Sequence, residues 1–192
     1  MVVFNPKIAS GEQAIFVHYV RQVHDKLLVS LYMSTQNNKQ KVIPLIFETY
    51  LAVVRNSVRS KLFQNFYAKV NGKKTDIMRN GELSCAFYVS SVLALPKFIK
   101  EVHTTVDSTV KDLKESGWKE VKNPKMGCIL IWEKTDFGDN DIHKHIGIFI
   151  GNGKAISNSY KLGYPIKHRW NLSGKRKVDI ILWNPKFDLK KQ

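Results

Sequence analysis

The stretch that decides the fold is His145-Ile-Gly-Ile-Phe-Ile-Gly-Asn-Gly-Lys-Ala-Ile-Ser-Asn158. Its first part is rich in isoleucine and phenylalanine, which is typical of a buried strand. The run Gly151-Asn152-Gly153 that follows is typical of a tight hairpin turn, because glycine and asparagine tolerate positive φ angles. We therefore predict an antiparallel hairpin with strands over 145–150 and 154–158.

Apolar runs on both sides of this hairpin predict further strands. Met126–Trp132 precedes it as an almost continuous apolar run, and Tyr164–Trp170 and Val178–Trp183 follow it. The earlier part of the chain instead has the periodicity of helices. Helices followed by an antiparallel meander indicate an α+β fold.

The first part of the chain repeats apolar residues every three to four positions, as amphipathic helices do. We predict helices over about 11–33 and 41–68, followed by a turn at Asn71-Gly72-Lys73-Lys74. This gives a helical N-terminal extension over residues 1–75, a helical hairpin, and a second domain over 76–192.

A short helix in the second domain begins at a cysteine. Residues Ser84–Leu93 have apolar side chains at helical spacing, and Pro96 limits the element to about three turns. Cys85 lies in the first turn, where free N–H groups and the helix dipole favour the reactive thiolate. The same N–H groups could stabilise an oxyanion. Taken alone, Cys85 fits a small buried core residue better, and the histidine hairpin downstream changes that.

Another helix is predicted just before the strands. Thr104 with Asp107 has the form of a capping box, in which each side chain accepts a hydrogen bond from a free backbone N–H. Gly117 would end this helix as a left-handed cap.

Composition limits the class of function. The 192 residues have a formal net charge of +15, and a field of that sign attracts polyanions such as nucleic acid, anionic lipid or acidic wall polymers. Two cysteines are too few for a disulfide scaffold, and we expect two free thiols. No secretory signal or bilayer-spanning apolar run is visible, so we expect a cytoplasmic protein, or one released or exported by a non-classical route.

The hairpin supplies the base that a catalytic cysteine needs. His145 precedes the apolar part of its strand, so we expect it to project from the strand's end beside the cysteine helix. Ser157 and Asn158 would lie opposite, and either could orient the imidazole. Asn158 is the better acceptor, but a one-residue slip in register would exchange the two. The predicted catalytic residues are Cys85, His145 and either Asn158 or Ser157, with no metal or cofactor.

These stretches resemble those of NlpC-type and CHAP-type peptidases, the papain-like cell-wall hydrolases. The hairpin 145–158 is similar to the histidine hairpin of that superfamily, and Gly127–Trp132 is similar to its Gly-Asp-hydrophobic strand, with Cys128 in place of the acidic residue. The resemblance covers about residues 80–170. It implies a papain-like fold and a thiol-dependent amidohydrolase or peptidase, with Cys85 as nucleophile and His145 as general base and acid. The implied substrate is a peptidoglycan peptide or an amidase-type substrate.

Two other interpretations stay open. Cys85, Cys128, His143 and His145 could form a zinc site, although they contain no Cys-x-x-Cys pair. The chain could also be a non-catalytic basic module of papain-like fold that binds a polyanion such as nucleic acid or an acidic wall polymer. A catalyst requires a Cys85 of lowered pKa that alkylates selectively over Cys128, whereas a binding module predicts two inert thiols. The sequence offers no partner for His168.

Overall fold

The structure is a computed structural model that describes residues 41–136 and 142–190. The chain divides into two compact units, Met1–Pro44 and Leu45–Gln192, and every element described below lies in the second. The helix predicted over 11–33 lies outside the described residues.

The described elements are three α-helices and eight strands in two antiparallel sheets. The helices are α1 (Ile46–Asn56), α2 (Cys85–Ala94) and α3 (Val106–Glu115). The strands are β1 (Tyr67–Val70), β2 (Lys73–Asp76), β3 (Lys119–Glu120), β4 (Ile129–Asp136), β5 (Ile142–Gly151), β6 (Lys154–Asn158), β7 (Pro165–Arg169) and β8 (Val178–Trp183). Short 3-10 turns cover Leu172–Gly174 and Pro185–Lys190. The predicted α+β class with an antiparallel sheet is confirmed.

The larger sheet has six strands in the order β3-β8-β4-β5-β6-β7. Strands β4 to β7 form the predicted meander, and β8 pairs with the other side of β4. The central strand β4 is buried on both faces, and Ile129, Leu130, Ile131 and Trp132 are all fully buried. Helix α2 packs against β5 and β6, so its N-terminal cysteine lies beside the histidine hairpin.

The hairpin between β5 and β6 forms as the sequence predicts. Gly151 pairs with Lys154, and the two residues between them, Asn152 and Gly153, have φ angles of +50° and +65°. A two-residue turn with positive φ at both central residues has a backbone twist that matches the twist of the flanking strands. Strand β6 begins and ends where it was predicted, whereas β5 begins three residues earlier, at Ile142.

The helix predicted over 41–68 is wrong in its extent, because α1 ends at Asn56. Ser57 then donates its hydroxyl hydrogen to the carbonyl of Val54, and Arg59 adopts a φ of +66° that no helix continues. The following segment forms the β1–β2 hairpin, which the sequence analysis did not predict. Its turn is at Asn71-Gly72, inside the turn that was predicted.

Helix α1 belongs to the core of the same compact unit as the sheet. It buries Tyr50, Leu51 and Val54, and the Tyr50 hydroxyl donates a 3.0 Å hydrogen bond to the carbonyl of Gly127 at the start of β4. The compact unit thus begins at Leu45, upstream of the predicted boundary between residues 75 and 76.

The capping residue of α3 differs by one position from the prediction. The N-cap is Thr105, whose side chain accepts a 3.2 Å hydrogen bond from the Ser108 N–H, in place of Thr104 with Asp107. Gly117 ends the helix as predicted, with a φ of +92°. Within the described ranges, no helix combines the length and the apolar character needed to cross a membrane.

Candidate active site

The loop before Cys85 is held by one carboxylate. Asp76 accepts hydrogen bonds from the backbone N–H groups of Phe66, Met78 and Asn80 at 2.8–3.1 Å. Partial burial raises the pKa of Asp76, but the hydrogen bond from Asn80 and those from its other partners outweigh that effect and lower it. The carboxylate is therefore ionised near neutral pH and fixes the turn that leads into α2.

Cys85 is the first residue of α2, as the sequence predicts. Burial raises the pKa of its thiol, whereas the N–H groups of Ile146 and Ala86 and the positive charge of Arg176 lower it, and burial prevails. The N–H groups at the helix N-terminus therefore favour the thiolate, as expected, but burial outweighs them in the resting protein. The site therefore holds a protonated thiol whose surrounding donors can stabilise negative charge once it forms.

His145 lies inside β5, not at its end, because the strand begins at Ile142. Its ring packs against the indole of Trp132 with a centroid distance of 5.2 Å. Burial lowers the pKa of His145 to about 3, and the positive charge of Arg176 contributes in the same direction. The imidazole is neutral at physiological pH and can act as a base.

Ser157 forms a hydrogen bond with this imidazole. A 2.8 Å hydrogen bond joins Oγ of Ser157 to Nε2 of His145. The close approach depends on Gly147, since a Cβ atom there would lie 2.7 Å from the Cβ of Ser157 and 3.1 Å from the ring of Trp132. Of the two orienting residues left open by the sequence, the register brings Ser157 to the histidine.

Asn158 faces the other way and has a different contact. Its Nδ2 group donates a 2.6 Å hydrogen bond to the carbonyl of Gly81, in the loop before Cys85. Gly81 has a φ of +96° and lies against Gly163, where a Cβ atom would overlap the carbonyl oxygen at 2.1 Å. Asn158 therefore joins the end of β6 to the loop that leads into α2.

His168 is a member of the site that the sequence analysis missed. Its Nε2 atom forms a 2.8 Å hydrogen bond with Oγ of Ser157, and its Nδ1 atom lies 2.8 Å from the carbonyl oxygen of Arg169. Burial lowers the pKa of His168, although the hydrogen bond to Arg169 opposes the shift. The signal was its place on the predicted strand 164–170, on the face that Ser157 also occupies once β6 and β7 pair.

Cys85, His145 and Asn158 all line a cavity of about 480 Å³, together with His143 and Arg176. The Arg176 side chain is buried, with 7% exposed, and it donates hydrogen bonds to the carbonyl oxygens of Glu133 (2.6 Å) and His143. The other charged residues that line the cavity are Glu82, Asp107, Lys134 and Lys144. The cavity therefore combines charged side chains of both signs with apolar surface.

The two cysteines are unpaired and lie in different environments. Cys128 is fully buried at the start of β4, and burial raises the pKa of its thiol to about 12. Among the described residues, no group of three or more histidine, cysteine, aspartate or glutamate side chains has the arrangement of a metal site. The zinc interpretation from Cys85, Cys128, His143 and His145 thus has no support from the geometry.

Comparison of the chain with protein-family models gives no match, and comparison with curated proteins gives none either. The resemblance to papain-like peptidases therefore depends on the residues of the cysteine helix and the histidine hairpin.

Proposed function

We propose that this protein is a thiol-dependent hydrolase of amide bonds with a papain-like catalytic arrangement. The observation that supports the proposal is the meeting of Cys85, at the start of α2, and His145, on β5, at one cavity. The hydrogen bond between His145 and Ser157 adds the third polar group that such an imidazole requires.

The proposed reaction begins with a neutral thiol and a neutral imidazole. His145 removes the proton of Cys85 as the sulfur attacks the substrate carbonyl, and the Cys85 N–H donates to the resulting oxyanion. The imidazolium then protonates the leaving amine. Water adds to the thioester in a second cycle with His145 as base, and release of the carboxylic acid restores the thiol. The positive charge of Arg176 near the sulfur supports the charge that develops there.

The size of the cavity and the charged side chains in its lining support a short peptide as substrate. The cavity volume of about 480 Å³ lies within the range of small-ligand sites, and its charged lining suits a short peptide with free amino and carboxyl groups better than an acyl chain. We therefore favour a peptidoglycan peptide or a related amidase substrate over a folded protein.

The experiment that tests this function is turnover of defined peptidoglycan stem peptides, with mass spectrometry of the products. Wild-type protein should release one new amine and one new carboxylate per cleaved bond, and Cys85→Ala should lose at least about a thousandfold in rate. Cys85→Ser is the matched control. It removes the thiol but keeps the size of the side chain, so a loss of activity in this variant does not come from a lost fold. Activity that persists in Cys85→Ala would contradict the proposal.

A second candidate function is supported by the net charge of +15 and by the raised pKa of Cys85. These features fit a basic module of papain-like fold that binds a polyanion without catalysis. Fluorescence anisotropy with a labelled single-stranded oligonucleotide and with a teichoic acid would test it. Binding that weakens steeply with salt and is unchanged in Cys85→Ala, together with no turnover of any amide, would favour this function.

A further inference from the structure

We propose that His168 is a positioning residue that fixes the tautomer of His145 through the hydroxyl of Ser157. The inference rests on the proposed function, because it concerns the state of the base that acts on Cys85. It follows from three hydrogen bonds, each 2.8 Å long, that connect the Arg169 carbonyl, His168, Ser157 and His145 in one chain.

The hydrogen bond to the Arg169 carbonyl sets the direction of the other two hydrogen bonds. A backbone carbonyl oxygen can only accept, so Nδ1 of His168 carries the hydrogen that is donated to Arg169. In the neutral ring Nε2 of His168 is then an acceptor, and the Ser157 hydroxyl must donate to it. The oxygen of Ser157 therefore accepts its other hydrogen bond from Nε2–H of His145.

This direction leaves Nδ1 of His145 with a free electron pair. Nδ1 is the ring nitrogen closer to the residue's own backbone, and the Cys85 thiol lies against the N–H of the next residue, Ile146. In the proposed reaction Nδ1 is taken as the nitrogen that accepts the thiol proton, since the side chains of Cys85 and His145 line the same cavity. With the opposite tautomer, Nδ1 would carry a hydrogen and could not accept the thiol proton.

The three hydrogen bonds require no second proton transfer. When the proton moves from Cys85 to His145, no proton leaves Ser157 or His168. The imidazolium keeps its Nε2–H bond to an oxygen whose own hydrogen points away toward His168. Removing the His168 acceptor would free the Ser157 hydroxyl to donate to His145 instead.

The test is the tautomeric state of each histidine in the full chain, read from long-range ¹H–¹⁵N spectra of the imidazole rings. Wild-type protein should have His168 as the Nδ1–H tautomer and His145 as the Nε2–H tautomer. His168→Phe keeps a ring beside Trp132 but removes the acceptor, and it should shift the tautomer ratio of His145 toward Nδ1–H by about tenfold. The rate of Cys85 alkylation by iodoacetamide should fall by a similar factor.

Two variants serve as controls. His168→Gln restores an acceptor oxygen and should recover both the tautomer and the alkylation rate, whereas Lys167→Ala, at an exposed neighbouring position on β7, should change neither. A wild-type His168 with hydrogen on Nε2 would overturn the proposal even if the variants fail to fold. So would a His145 tautomer that is unchanged in folded His168→Phe. Predicted tautomers in a protein that hydrolyses no amide would support this inference and count against the proposed function alone.

Discussion

The Cys85 thiol and the His145 imidazole are both neutral because the site withdraws them from water. Burial raises the pKa of the thiol and outweighs the nearby donors that lower it, whereas burial and the positive charge of Arg176 act together to lower the pKa of the imidazole to about 3. A resting thiolate–imidazolium pair is therefore not expected. The proposed hydrolysis would therefore require proton transfer from Cys85 to His145 as the substrate binds, and the tautomer of His145 determines whether its ring can accept that proton.

The protein should become less stable in mild acid, because His145 takes up a proton there in the unfolded state but not in the folded state. An unfolded histidine takes up a proton near pH 6.5 and folded His145 only near pH 3, so the unfolded state binds more protons between these values. The contribution of His145 to the free energy of unfolding should fall by roughly 2 kcal/mol between pH 6.5 and pH 5. Urea unfolding at both pH values should show this loss in wild type and a smaller loss in His145→Gln. Equal losses in the two proteins would contradict the assignment.

Gly147 should be intolerant of even one added methyl group. Gly147→Ala would place a Cβ atom 2.7 Å from the Cβ of Ser157 and 2.9 Å from the Ile156 carbonyl oxygen. We expect a loss of about 1–3 kcal/mol in the free energy of unfolding, measured by urea titration. Gly147→Ala should cost less free energy of unfolding when it is introduced into Ser157→Gly than into wild type, because the contacting Cβ of Ser157 is absent there. Strict additivity of the two substitutions would contradict the contact.

Sequence patterns predicted the types of residue at the site better than their contacts. Cys85 and His145 could be predicted because a helix start and a hairpin each leave a local signature. The choice of Ser157 over Asn158 depends on register and on the space left by Gly147, and His168 enters only through the pairing of β6 with β7. Protonation states depend on burial, which a local pattern does not contain.

At the scale of elements, the start of α3 offers a direct comparison of the predicted and the observed cap. Thr105→Ala removes the hydroxyl that accepts from Ser108 and should cost about 1 kcal/mol in the free energy of unfolding. Thr104→Ala, at the position that the sequence predicted, is the matched control and should change it by less than about 0.5 kcal/mol. Thermal or urea unfolding measures both. A larger loss in Thr104→Ala would restore the original prediction.

Strands β4 to β8 were predicted more accurately than the end of α1 for a physical reason. Glycine and asparagine at turns determine hairpins locally, and both Asn152-Gly153 and Asn71-Gly72 have the positive φ angles of such turns. Apolar residues after Asn56 keep a helical spacing, but the chain leaves the helix at Ser57 to make tertiary hydrogen bonds. The Arg59 N–H donates to the carbonyl of Pro165, a contact far away in sequence.

For the molecule as a whole, α1 should be required for folding of the compact unit that contains the larger sheet. A chain limited to residues 76–192, the predicted second domain, lacks Tyr50, Leu51 and Val54, which are almost fully buried. Their loss would open a cavity in the core and leave the Gly127 carbonyl without its donor. We expect the truncated chain to lack a cooperative urea transition that the full chain shows. Cooperative unfolding of the truncated chain would support the predicted boundary instead.

The central claim, that Cys85 and His145 act as one chemical unit, is tested most directly by alkylation kinetics. The rate of iodoacetamide labelling is measured by mass spectrometry at Cys85 and at Cys128 in wild type and in His145→Ala. We predict that Cys85 reacts at least about tenfold faster than Cys128 in wild type and loses about tenfold in His145→Ala, because the base is gone. If Cys85 labels no faster than Cys128, whether or not His145 is present, Cys85 and His145 do not act as one chemical unit.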